Sequence, residues 1–278
     1  MSSSHILVGY DGSPESEAAL RWAAGEARMR GLPITVCHVW HWPYRVEPSG
    51  MAVRDTMRRM AEQTAAAGVA VITHVTPKLT VRARAVSGPT AETLMALSGD
   101  AEAIVVGHRG GGGFAELPTG SVAGQLAAHA HCPVIITRGP IRRGDVVVGV
   151  DGSAASDPAL ALALEEAALR HVAVTAVCSW WDPGAMTASP VIETAELRRK
   201  AAVRLEHIIA LWREKYPYVE VRTSLVAEPP RSALIEASKD AGLLVVGRRG
   251  HGEAPGPLGS VGQALVHRAH CPVAVTGV

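Results

Sequence analysis

Gly107-His108-Arg109-Gly110 is followed, after a spacer of nine residues, by Gly120-Ser121-Val122. An apolar run over 122–128 reads as a helix, so Gly120-Ser121 falls at a helix N-terminus. Free backbone N–H groups and the positive end of the helix dipole favour phosphate there. Glycine lets the backbone approach an anion closely and adopt positive φ. Ser121 offers either a cap to the helix or a hydroxyl to a phosphate oxygen, and Arg109 adds positive charge. A second polar group, Asp11, closes the apolar run Ile6-Leu7-Val8-Gly9-Tyr10. If the strands bearing Asp11 and Gly107 are neighbours, both face one crevice at the carboxyl ends of the strands. A phosphate cradle beside a carboxylate points to a nucleotide, with phosphates on the glycines and the sugar or base near the acid. Taken singly, each feature also has a plain structural reading: a glycine run is often a flexible loop, and Asp-Gly-Ser is often a turn.

Repetition favours binding. Gly9-Tyr10-Asp11-Gly12-Ser13 returns as Gly149-Val150-Asp151-Gly152-Ser153, and Gly107-His108-Arg109-Gly110 returns as Gly247-Arg248-Arg249-Gly250. Gly120-Ser121-Val122 returns as Gly259-Ser260-Val261, and His131-Cys132-Pro133-Val134 as His270-Cys271-Pro272-Val273. The period of about 140 residues is one globular domain rather than a solenoid unit. The chain reads as two tandem domains, 1–140 and 144–278, joined by the short linker 139–144, so that the domains are expected to sit against each other.

Elements that hold these loops follow from the pattern. Short β-branched runs fall at 5–10, 34–40, 79–86, 103–107 and 134–137, and again at 145–150, 174–180, 219–226, 243–247 and 273–276. Helical runs lie between them, at 15–30, 51–75, 91–97 and 122–129 in the first copy. Near-continuous apolar strands alternating with helices predict an α/β fold, an open parallel sheet in each copy with helices on both faces. Residues 69–73, Val-Ala-Val-Ile-Thr, look like a strand by propensity, whereas the matching 209–213, Ile-Ala-Leu-Trp-Arg, look like a helix. The repeat favours a helix for both. Ser13-Pro14 starts the first helix with a capping hydroxyl and a proline at its first position, and Ser153 is the equivalent residue. Each last strand opens Cys-Pro-Val, as suits an edge. Such an edge invites pairing of the two copies or of two chains, unless a helix or loop covers it.

Composition narrows the classes. The apolar fraction of 47% with only 4% aromatics supplies two cores packed mainly by Ala, Val and Leu. A net charge of +1 with only short basic runs argues against nucleic acid or an anionic membrane as partner. No leader is apparent after Met1, and no apolar stretch reaches the length of a membrane span, so a cytoplasmic protein is expected. Four cysteines do not form a disulfide framework; Cys132 and Cys271 read as small buried thiols, with a bridge or redox role as the alternative. His129, His131, His267 and His270 differ in spacing between the copies and complete no metal set. Trp40, Trp42, Trp180 and Trp181 read as packing or rim residues. The P-loop pattern is absent, and Asp-Gly-Ser-Pro stands where a dinucleotide fingerprint would be. No nucleophile–base–orienter set is apparent. His108 becomes Arg248 in the second copy, so a catalytic histidine would serve one site only.

The combination of Asp at the end of strand one, Gly-x2-Gly-x9-Gly-Ser after strand four, and a closing Cys-Pro-Val strand resembles the universal stress proteins, over both copies. The tandem form looks like that of actinobacteria. The resemblance implies an adenine nucleotide alpha hydrolase-like fold, with sheet order 3-2-1-4-5 and pairing through the last strands. It implies an ATP-binding, regulatory stress-response protein. A weak ATPase or nucleotidyl-transfer enzyme in the same cleft, or a scaffold with inert pockets, are the alternatives. Asp11 and the main chain near Val39 would meet adenine, Gly9 and Gly107 would line the floor, and Gly110, Gly120, Ser121 and Val122 would hold ribose and phosphates. Gly149, Asp151, Gly247, Gly250, Gly259, Ser260 and Val261 are the matches in the second copy. There the spacer is one residue shorter and carries Glu253, Pro255 and Pro257, and Ser179 replaces Val39. The first site is therefore expected to be the better one for ATP.

Overall fold

The protein is described from a computed structural model, which covers residues 4–41, 51–111, 120–153, 156–180, 190–250 and 257–277. Trp42, Trp181, Glu253 and Pro255 lie outside the described residues. The chain divides into two compact units, 1–138 and 139–278.

In the first unit β1 (Ile6–Gly9), β2 (Ile34–Trp40), β3 (Val81–Ser87), β4 (Ala103–Gly107) and β5 (Val134–Thr137) are all parallel, in the order β3-β2-β1-β4-β5. They alternate with α1 (Pro14–Arg30), α2 (Met51–Val75), α3 (Thr90–Leu97) and α4 (Ser121–His129). β1, β4 and β5 are buried almost end to end, as strands covered on both faces must be. Two glycines show which helix covers which face. A Cβ on Gly9 would meet Val106 and Leu94 of α3, whereas one on Gly107 would meet Glu15 of α1. Neighbouring residues of β4, Val106 and Gly107, point to opposite faces, so α1 and α3 flank the sheet.

Local signals place the helix ends. Ser13 caps α1 by accepting from the Ser16 N–H at 3.2 Å, and Pro14 follows it. Gly31 ends the helix in the left-handed conformation, φ 68°. Residues 69–75 are helical, the last turns of α2. Burial decides this against β-propensity: Ile72 is buried, and Gly68 brings the helix onto Tyr10 and Val36. β3 starts two residues later than the apolar pattern suggests, because Leu79 N–H turns back to the Thr76 carbonyl.

The second unit repeats the plan. β6 (Val146–Gly149), β7 (Val174–Ser179), β8 (Val221–Val226), β9 (Leu243–Gly247) and β10 (Val273–Thr276) are parallel in the order β8-β7-β6-β9-β10. Its helices are α5 (Ser156–Arg170), α6 (Pro190–Lys215), α7 (Pro230–Ala237) and α8 (Ser260–Arg268). β8 again starts late, with Val219 N–H turning back to Tyr216. Both units bury one glutamate of the first helix beside an arginine a turn later, Glu26 with Arg30 and Glu166 with Arg170. No helix among the described residues is long and apolar enough to cross a membrane.

Candidate functional site

β1 lies beside β4, so the loops leaving their carboxyl ends meet. A cavity of about 400 Å³ opens there, a usual size for a small-ligand site. Gly9 and Gly107 lie at its base, Asp11, Val39 and Arg109 line it, and Gly110, Gly120, Ser121 and Val122 close the side formed by the glycine loop and α4. The second unit holds a cavity of about 430 Å³ in the same place, lined by Gly149, Asp151, Ser179, Gly247, Arg248, Arg249, Gly250, Gly259, Ser260 and Val261. The two volumes are nearly equal, so enclosure does not separate the sites.

Asp11 ties the two loops together. Its Oδ2 accepts from the Gly111 N–H at 2.7 Å, and its Oδ1 accepts from the Ser13 N–H at 3.0 Å and hydroxyl at 2.6 Å. A Cβ on Gly110 would lie 2.5 Å from Oδ2, so a side chain there would have to push the carboxylate from its present position. Burial by itself would raise the Asp11 pKa, but the bonds from Ser13, Gly111 and Ser16 outweigh it and hold the carboxyl below its ordinary value. Asp151 accepts from Ser153 N–H at 2.9 Å, the Ser153 hydroxyl at 2.7 Å and the Ser156 hydroxyl at 2.8 Å. Ser153 thus donates to Asp151, and the described part of α5 begins at Ser156.

The helix start behind the glycine loop differs from the expected one in a single respect. Gly120 is the N-cap of α4 and makes no side-chain cap, so Ser121 is already the first helical residue. Gly259 is likewise the N-cap of α8, followed by Ser260. The orphan N–H groups of each first turn therefore receive no serine cap. Gly120 N–H donates to the His108 carbonyl at 2.8 Å, and Gly259 N–H to the Arg248 carbonyl at 2.9 Å, which pins each loop against its helix.

His108 is not among the cavity residues. Its Nδ1 lies 3.3 Å from the Thr137 carbonyl oxygen, which only accepts, so Nδ1 carries the proton. Burial and then the nearby Arg138 charge lower its pKa. A neutral ring satisfied by backbone has little to give a ligand. Arg109 does line the cavity, and its Nε is buried with no hydrogen-bond partner among the described residues.

One wall was missed by sequence reasoning. Thr90 and Leu94 of α3 line the first cavity, and Pro230 and Leu234 of α7 line the second. The signal was present, since these positions match at the repeat period and follow the matched Pro89 and Pro229. Among the described residues no cluster of His, Cys, Asp or Glu is placed to hold a metal ion, and all four cysteines are buried thiols outside any disulfide.

The universal stress protein family model matches residues 3–138 and again 143–277. The chain belongs to the universal stress protein family. A universal stress protein of Mycobacterium tuberculosis is 35% identical, over 99% of this chain and 96% of its own length. Another universal stress protein, from Mycolicibacterium smegmatis, is 35% identical over 97% of this chain and 96% of its own. Among solved structures, a universal stress protein from Archaeoglobus fulgidus has the same fold, with TM-score 0.73 and 20% identity over 100% of this chain and 97% of that one. The tandem stress-protein plan thus accounts for nearly the whole sequence, glycine loops included.

Proposed function

We propose that this chain is a regulatory module that binds ATP in the clefts of its two universal stress domains, and signals through occupancy rather than through dedicated catalysis. The observation that carries the reading is the junction of Asp11 with the Gly107–Gly110 loop and the N-terminus of α4 around one cavity, repeated around Asp151. The uncapped first turn of α4 and the glycine backbone suit phosphates. The half-apolar wall of Val39, Val106 and Leu94 suits a purine ring. The first cleft is the primary ATP site, and the second is of the same class with Ser179 in place of Val39.

The test is to denature the purified chain and identify the released nucleotide by chromatography, with a thermal-shift titration alongside. ATP at one to two molecules per chain, and a rise in Tm with added ATP, are expected. No released nucleotide together with no shift overturns the reading. ADP accumulating from added ATP, and lost in Gly120→Glu, replaces it with turnover in the same cleft.

A further inference from the structure

The outer groove between the first two helices differs between the units at nearly every position, although its backbone closes in the same way. Thr76 N–H donates to the Ile72 carbonyl at 2.8 Å, and Tyr216 N–H to the Trp212 carbonyl at 2.9 Å. In the second unit Tyr216 reaches across from the end of α6 to α5, where Glu165 accepts from its hydroxyl. Trp212 stacks on Tyr216 with ring centroids 6.2 Å apart, and Lys215 Nζ lies over both rings at 5.0 and 5.6 Å. The first unit has neither ring nor carboxylate there. Gly25 stands for Glu165, Thr76 for Tyr216 and Ile72 for Trp212.

That space is open in the first unit. A cavity of about 240 Å³ lies between α1 and α2, with apolar walls from Leu20, Ala24, Val71 and Ile72 and with Arg21 and Arg28 among its lining. It shares no residue with the first nucleotide cleft. A Cβ on Gly25 would meet nothing within 4 Å, so packing does not demand glycine, and glycine inside a helix is unfavourable beside alanine. Positions 21, 25 and 28 fall on one face of α1, so an arginine stands on either side of the bare position. Arg21 already pairs with the exposed Glu17 at 3.3 Å. Arg28 is exposed and makes no hydrogen bond or ion pair among the described residues. The matching positions 161 and 168 are both alanine. Where the second unit sets one carboxylate, the first sets two cations.

We propose that the groove between α1 and α2 of the first unit binds a small aromatic carboxylate, its ring in the space that Tyr216 fills in the second unit and its carboxylate on the Arg28 guanidinium. An apolar cavity of roughly 150 Å³ already admits benzene, so this one holds a single ring with a short acid arm. A guanidinium fork matches a carboxylate in geometry and lies well against an aromatic face. Charge therefore selects the acid over a neutral ring of the same shape. The second unit supplies its own ring and closes the groove. The inference is independent of what the clefts bind.

The experiment titrates the full chain with phenylpropionate, and with phenylpropanamide as its neutral counterpart, by calorimetry and by the NMR shift of the Gly25 N–H. Saturable binding of the acid that moves the Gly25 signal is expected, with the neutral compound about tenfold weaker. Arg28→Gln, at an exposed position, should weaken the acid about tenfold and leave the neutral compound unchanged. Gly25→Glu combined with Thr76→Tyr installs the second unit's carboxylate and ring, and should abolish binding without lowering the urea midpoint. If that double variant is less stable than the parent, Arg28→Gln decides alone. No saturable binding to the parent chain, equal affinity for acid and neutral compound, or an acid affinity unchanged in Arg28→Gln overturns the proposal.

Discussion

Asp11 Oδ2 and Gly111 N, 2.7 Å apart in space, are separated by 100 residues of chain. That bond joins the loop after β1 to the glycine loop after β4 and sets the width of the cleft mouth. Removing it should loosen the site more than it weakens the fold, because the lip is exposed and water replaces the lost acceptor. Asp11→Ala should cost about 1 kcal/mol of stability while sharply lowering nucleotide affinity, read by thermal melts with and without ATP.

The same carboxylate predicts a pH dependence. Its folded pKa lies below the ordinary aspartate value, so the folded chain binds this proton more weakly than the unfolded one. Its stabilisation is complete above the unfolded value and is lost as pH falls through the folded one. The Tm difference between the parent chain and Asp11→Asn should therefore be constant from neutral pH down to about 4 and shrink below that. A difference that grows on acidification would contradict the hydrogen-bond account.

Two glycines in one site should differ in their response to substitution. A Cβ on Gly107 would lie 2.8 Å from the backbone C and O of Glu15, which cannot move aside cheaply. Gly107→Ala should destabilise by about 1–3 kcal/mol. Gly120 has φ −69° and its nearest neighbour would be 3.6 Å away, so Gly120→Ala should cost only the N-cap preference for glycine over alanine, about 1 kcal/mol or less. Gly120→Glu should also fold, yet abolish binding in the first cleft by placing a carboxylate where phosphate is expected. Calorimetric melts and ATP titrations of the three variants separate these effects.

Gly68 tests packing against propensity. Glycine to alanine inside a helix ordinarily gains about 1 kcal/mol, but here the new Cβ would lie 2.8 Å from Tyr10 Cδ1 and Val36 Cγ1. Overpacking costs of about 1–3 kcal/mol outweigh the gain, so Gly68→Ala should lower the denaturant midpoint.

Burial pushes the Cys37 thiol up to about 11 and the Cys271 thiol up to about 12. Thiolate is the reactive form, so native protein at pH 8 should react slowly with a thiol-directed reagent and expose all four thiols on unfolding. Rapid labelling of the native chain would contradict this burial.

Much of the architecture was legible in the sequence because its signals are local or repeated. Ser13-Pro14 specifies a helix start through its own capping bond, and the apolar strand runs specify burial on both faces. Residues 69–75 yielded only to the comparison between copies, since Val, Ile and Thr there favour a strand taken alone. The placement of Asp11, Val39 and the glycines around a cavity followed once β1 was set beside β4.

The sequence by itself determined the duplicated α/β plan and the polar loops that carry the chemistry, because periodicity and glycine spacing act over a few residues. Only the tertiary structure decided what those loops touch. It turned His108 onto Thr137, left Gly120 rather than Ser121 as the cap, supplied Leu94 as a wall, and laid Arg248 over Gly277. Each of these depends on strands far apart in sequence becoming neighbours. Side-chain direction at such a junction follows from the space left by the other chain segment, which no local pattern encodes.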